Sequence, residues 1–324
     1  MKLAPTARIA AFVTGLAVLF AATALAGAEI DPDVDESSAA HEEGDAGMTA
    51  TAMRTTGADH GEGGASAVLP GLAAAQDGYR LVPEATAAPA RDDAVYRFRI
   101  VDDAGDTVRS FDEEHERRMH LIAVGRDFTA FQHLHPEQHA DGSWSARMDL
   151  RRPGAYRVFA DFATDGRSLT LAADLLVAGD YRPAPLPEPS RRADAGDGYE
   201  VELASAEPRS GAAALVEFTV SRDGRELDGV EPYLGADGHL VALREHDQAF
   251  LHTHPEGEAG GSGPIAFQVE YPTASRYRLY LQFKHRGEVR TAAFTQAAGG
   301  MMDATEGETD QAGEAGHEEA PDAH

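Results

Sequence analysis

No cysteine occurs in the 324 residues. That absence excludes disulfides, thiolate metal sites, a cysteine nucleophile and a lipid-modified cysteine anchor. Lysine is scarce: Lys2 and Lys284 are the only two among 28 basic side chains. Basic charge as a whole is scarce, with 55 acids and a net charge of −27. A surface of that sign repels phosphate and excludes nucleic acid as a partner. It equally excludes docking onto anionic lipid head groups. Long helical periodicity is missing beyond the N-terminus. No His-Glu-x-x-His, nucleophile elbow or phosphate loop is present, and no catalytic constellation is found.

What is there begins with Lys2 and Arg8, followed by 20 uncharged residues from Ile9 to Ala28. That run is long enough to cross a bilayer and also contains Ala24-Leu25-Ala26, a signal-peptidase pattern. Residues 1–28 are therefore a cleaved signal or a retained membrane anchor. Either one puts the rest outside the cytoplasm, because the positive charge stays inside. Residues 29–74 read as an acidic, disordered linker, with ten acids and one base, Arg54, between residues 29 and 66. Residues 298–324 read as a disordered tail, with eight acids and no Lys or Arg after Gly300. Between them lie two segments, 75–181 and 197–297, joined by a Pro-rich stretch at 182–196 that reads as stiff and extended.

Those two segments are copies of each other. Tyr96-Arg-Phe98-Arg-Ile100 matches Val216-Glu-Phe218-Thr-Val220, and Tyr156-Arg-Val-Phe159-Ala-Asp-Phe162 matches Tyr277-Arg-Leu-Tyr280-Leu-Gln-Phe283. The offset stays between 119 and 121 residues. Each copy reads as about seven short alternating strands with turn signals between them, near 100 residues, which suits an immunoglobulin-like sandwich. Pro153-Gly154-Ala-Tyr156 fits a tyrosine corner. The expected architecture is all-β, with two tandem sandwiches that the Pro-rich linker leaves separable.

Each copy carries His-x12-His-x-His-Pro-Glu: His120, His133, His135, Pro136 and Glu137, then His239, His252, His254, Pro255 and Glu256. If the flanking segments form a hairpin about Arg126-Asp127, His120 falls opposite His135 and Ile122 opposite His133. Residues i and i+2 share a face, so all three imidazoles meet on one patch. The same counting puts His239 opposite His254 about His246-Asp247. Three imidazoles without a thiolate suit Cu(II) or Zn(II). Glu137 and Glu256 are candidates for a fourth ligand or for a group that orients one. His115, His139, His246 and His285 lack counterparts in the other copy and read as surface residues. The His-Thr-His-Pro string fails the deubiquitinating zinc-peptidase pattern, because Gly263 and Ala266 stand where Ser and Asp are needed.

The stretches Met119–Glu137 and Pro232–Glu256 resemble a family of uncharacterised exported or membrane-anchored bacterial proteins, some described as heavy-metal-binding. The resemblance covers nearly all of residues 75–297. It implies extracytoplasmic metal handling and no established catalysis. On this reading the protein sequesters or delivers copper or zinc through one three-His site per repeat, the metal ion being its partner. Two alternatives stay open: a non-catalytic adhesion or interaction module with a structural His cluster, and a zinc hydrolase.

Overall fold

The computed structural model describes residues 69–204, 207–257 and 259–299. The signal or anchor, the acidic stretch through residue 68 and the tail from residue 300 lie outside the described residues. Among the described residues there is no helix. The first repeat contains β1 (Ala75–Gln76), β2 (Tyr79–Pro83), β3 (Ala87–Pro89), β4 (Ala94–Asp102), β5 (His120–Gly125), β6 (Gln132–Leu134), β7 (Glu137–Gln138), β8 (Trp144–Met148), β9 (Gly154–Thr164) and β10 (Arg167–Ala178). The second contains β11 (Arg192–Gly196), β12 (Tyr199–Leu203), β13 (Ala212–Arg222), β14 (Arg225–Glu226), β15 (His239–Arg244), β16 (Phe250–Leu251), β17 (Thr253–Glu256), β18 (Ile265–Tyr271), β19 (Ser275–His285) and β20 (Glu288–Ala298).

Repeat one packs a sheet ordered β1-β2-β4-β8-β7 against a sheet ordered β3-β10-β9-β5-β6. Repeat two does the same with β11-β12-β13-β18-β17 and β16-β15-β19-β20. This is the strand order of an immunoglobulin-like sandwich. In repeat one β3 pairs in parallel with the last strand, β10, and in repeat two a lone parallel bridge, Arg209 to Gly299, stands in that place. Alternation builds each core. On β4, Ala94, Tyr96, Phe98 and Ile100 point inward while Val95 is 52% exposed. Both tyrosine corners form: the Tyr156 hydroxyl donates to Arg152 O at 2.8 Å, and the Tyr277 hydroxyl to Thr273 O at 2.6 Å.

β5 breaks the alternation. Every residue of β5 is buried. Leu121 and Ala123 enter the core of repeat one. Ile122 and Val124, on the opposite face, join Phe128, Phe159 and Ala172 in a separate cluster with Val241, Leu243, Phe250 and Tyr280 of repeat two. A strand covered on both faces needs a continuous apolar run, and Leu121-Ile-Ala-Val124 and Leu240-Val-Ala-Leu243 are such runs. The two β5/β15-bearing sheets therefore pack outer face to outer face. The contact is reciprocal. Phe131 stacks on Tyr280 at 4.0 Å, and the equivalent Phe250 meets Phe159 at 5.6 Å.

Polar groups close the rim. The Tyr280 hydroxyl donates to Phe128 O at 2.6 Å, and Gln248 Nε2 donates to Gly125 O at 2.9 Å while its Oε1 accepts from Arg126 at 3.1 Å. The chain entering repeat one also crosses this junction. Pro70 O accepts from Phe250 N at 2.9 Å, Gly71 N donates to Thr170 O at 2.8 Å, and Arg157 donates to Gly71 O and Leu72 O. Gly71 has a φ of +71°, and a Cβ there would lie 2.7 Å from the Phe159 ring.

Two expectations are corrected. Residues 69–74 are packed rather than part of a disordered linker, because their carbonyls are bonded by both repeats. The Pro-rich segment does not hold the repeats apart. It lies on them: Ala184 N donates to the buried Asp127 carboxylate at 3.0 Å, Leu186 packs against the junction cluster, and Arg192–Gly196 is already strand β11.

Candidate metal centre

The β5–β6 hairpin places Leu121 opposite Leu134, Ile122 opposite His133 and Ala123 opposite Gln132. That is the register counted from the sequence. It sets His120 and His133 on the outer face of the sheet, the face that repeat two covers. His135 follows just past the end of β6. His120, His133 and His135 offer ring nitrogens that all lie within 4.8 Å of one another.

The hydrogen bonds around these rings define which nitrogens are free. His120 Nε2 faces Glu114 O at 3.2 Å, and His133 Nδ1 faces Gln282 Oε1 at 2.7 Å. Both partners are carbonyl oxygens, which only accept, so both of these ring nitrogens carry the proton. At its other end Gln282 Nε2 donates to Thr291 Oγ1 at 3.4 Å. The remaining nitrogens, His120 Nδ1 and His133 Nε2, face each other at 2.9 Å. Two lone pairs are thus aimed into one space. His135 Nε2 is also buried and has no hydrogen-bond partner.

Repeat two supplies more than Gln282. The ring of His239 stacks on His133 at 4.5 Å and on His120 at 5.6 Å. The exposed His115 reaches within 6.2 Å of His120 and 6.0 Å of His239. His120 sits opposite Asp161 on β9, whose carboxylate accepts from Thr170 at 2.7 Å. Burial holds the imidazoles neutral. It pushes His133 down to about 3 and His135 to about 4, with His120 adding to both shifts. It also lowers His120 and, more strongly, His239, whose neighbours His133 and His120 act in the same direction. Burial raises the Asp161 carboxyl, against the Thr170 hydrogen bond and the nearby His120.

The second expected triad does not assemble. In repeat one the chain pairs with β5 through Leu134 before crossing to the other sheet. In repeat two pairing with β15 stops at Leu251, and Thr253–Glu256 pairs with β18 instead. The Thr253 hydroxyl donates to Leu240 O at 2.8 Å and so satisfies the carbonyl that continued pairing would have used. His254 lies opposite Gln268 and is exposed, Glu256 lies exposed opposite Ala266, and exposed His252 sits where its charge is felt by Asp161. His239 instead leaves its own repeat's motif and joins that of repeat one. Glu137 is exposed on β7 opposite Ser145, with Arg147 as its charged neighbour, outside the triad.

Of the remaining described histidines, His246 is exposed, His139 bonds Ser145 Oγ at 2.8 Å, and His285 Nδ1 bonds the Tyr199 hydroxyl at 2.6 Å. The reading of His115 as a plain surface residue missed its place beside the cluster. Gln282 and Asp161 were missed too, although they occupy matching positions in the aligned Tyr156–Phe162 and Tyr277–Phe283 strings.

Comparison with known proteins gives a family but no activity. A family model described as a domain of unknown function (DUF8832) matches residues 74–179 and again 193–300. No curated protein sequence matches the chain. Among solved structures, the Escherichia coli adhesin FdeC is similar at 14% identity over 70% of this chain and 65% of that one, with a TM-score of 0.24. InvD of Yersinia pseudotuberculosis is similar at 12% identity over 72% of this chain and 61% of that one, with a TM-score of 0.23. The chain thus covers less than two thirds of either. At these scores the sandwich assignment rests on the strand order and the tyrosine corners.

Proposed function

The chain is a two-copy member of the DUF8832 domain family, and from its histidine cluster we propose that it is an extracytoplasmic metal-binding protein with one Cu(II) or Zn(II) site per chain. His120 Nδ1, His133 Nε2 and His135 Nε2 are the ligands. One observation carries the reading: two ring nitrogens 2.9 Å apart, each on a ring whose other nitrogen faces a carbonyl oxygen. Opposed lone pairs repel unless a cation lies between them, and imidazole nitrogens bind such an ion at about 2 Å. The buried, partnerless His135 Nε2 supplies a third donor to the same space. Copper is favoured by intrinsic affinity, and zinc by its tolerance of a three-nitrogen site with an open position. The N-terminal hydrophobic run supports export, and the acidic flanks attract cations without holding any one of them.

The test is elemental analysis of the purified chain after exposure to each ion and removal of excess. One equivalent is expected, not two. Replacing His133 and His135 by Ala abolishes uptake, whereas replacing His252 and His254 leaves it intact. A wild-type chain that retains neither ion supports instead a non-catalytic adhesion or interaction module, in which the imidazoles only close the junction between repeats.

A further inference from the structure

Gln282 belongs to repeat two, yet it decides which nitrogen of His133 is free. We propose that Gln282 is a positioning residue for the site and that the metal centre exists only in the docked pair of repeats. This inference rests on the metal reading above and assigns its second half to the other repeat.

The argument is one of hydrogen-bond direction. An imidazole that donates through Nδ1 presents a lone pair at Nε2, and the reverse tautomer presents it at Nδ1. His133 Nδ1 points across the junction, 2.7 Å from Gln282 Oε1. The amide oxygen stands there, with Gln282 Nε2 on the side of Thr291 Oγ1. The lone pair of His133 is thereby fixed on the side of His120. Repeat one contributes the matching device for its own ring, since Glu114 O fixes His120. Metal-bound imidazoles generally hold such a carbonyl or carboxylate on the far nitrogen, and removing it weakens binding about 10–100-fold. The duplicated position supports the assignment. Gln282 pairs with His239 on β15 as Asp161 pairs with His120 on β5, and Gln282 faces the other repeat's second histidine, His133.

If Gln282 acts across the junction, then docking and metal binding are linked. A change that loosens docking without touching an imidazole must weaken metal binding. Tyr280 offers that control, because its ring stacks on Phe131 and its hydroxyl bonds Phe128 O.

The experiment measures Zn(II) and Cu(II) affinity, each ion alone against a competing chelator, on the full chain and its variants. Gln282→Met keeps the volume and removes the acceptor, so affinity should fall about 10–100-fold. Gln282→Glu keeps an acceptor facing His133 Nδ1 and should restore affinity to within a few-fold of wild type, a rescue that a mere packing role does not give. Tyr280→Ala should weaken binding, and added metal should slow amide exchange at Ile122 and Val241 in the wild type. Circular dichroism confirms that each variant retains its β structure. Wild-type affinity in Gln282→Met, or no rescue by Gln282→Glu, overturns the inference and leaves the metal reading standing. Failure of the wild type itself to bind either ion overturns both.

Discussion

At the residue scale the histidines set a pH dependence whose sign follows from burial. His133 and His135 titrate at about 3 and about 4 in the folded chain, below their unfolded value near 6.5. Between those values the unfolded chain binds protons that the folded chain refuses. Stability of the metal-free protein is therefore full above pH 6.5 and falls as pH drops toward 4 and below. Each such imidazole contributes at most about 1.4 kcal/mol per pH unit. Groups facing the cluster moderate the slope: Asp161 and Glu114 O favour the protonated His120, while His115 and Arg117 oppose it. Denaturant midpoints recorded from pH 7.5 to 4.5 test this, and His133→Ala should flatten the decline. A midpoint that rises on acidification would contradict it. The pattern His120-x12-His133-x-His135 was legible because strand geometry has a period of two and the turn length fixed the register. Gln282 was not legible, because a single glutamine gains meaning only once a second repeat faces the first.

At the scale of the element, the tyrosine corner and the apolar run make separate predictions. Tyr156→Phe removes one hydrogen bond to Arg152 O and should cost about 1 kcal/mol. Phe159→Ala empties a fully buried site in the junction, which should cost about 3–5 kcal/mol, and it leaves the repeat-one core untouched. Urea titration distinguishes the two magnitudes, and a Phe159→Ala cost no larger than that of Tyr156→Phe would mean the junction is not part of the folded unit. The sandwich itself was readable from alternation on β4 and β19. The docking of the repeats was present in the same rows as the unbroken runs at Leu121–Val124 and Leu240–Leu243. The Pro-rich segment between them reads as a spacer, because composition alone does not tell an extended chain in water from one lying on a surface. The failure of the second triad had no such signal. Thr253 in place of Leu134 is a small change, and only the bond from its hydroxyl to Leu240 O shows why the strand leaves early.

For the whole molecule, the shared cluster predicts one cooperative unfolding transition for residues 69–299 rather than one per repeat. Calorimetry checks this by comparing the measured enthalpy with the van't Hoff value. Two resolved transitions would show that the junction is too weak to couple the halves. Limited proteolysis should likewise spare the segment 182–190, since Ala184 and Ser190 are bonded to the two sandwiches.

The reciprocal contacts of Phe131 with Tyr280 and Phe250 with Phe159 have the form of a two-fold homodimer interface, in which each surface recognises its own copy. In a dimer of separate subunits, every substitution appears twice, once on each side of the axis. A single chain carrying both halves escapes that constraint. The tether keeps the halves at an effective concentration on the order of millimolar, so the interface tolerates polar atoms that a free dimer could not accommodate as readily. One half can hold an aspartate where the other holds a glutamine, and one hairpin can end two residues early while its twin does not. Symmetry that would have produced two identical histidine clusters has been broken to leave one among the described residues, assembled from unequal contributions by two copies of the same domain.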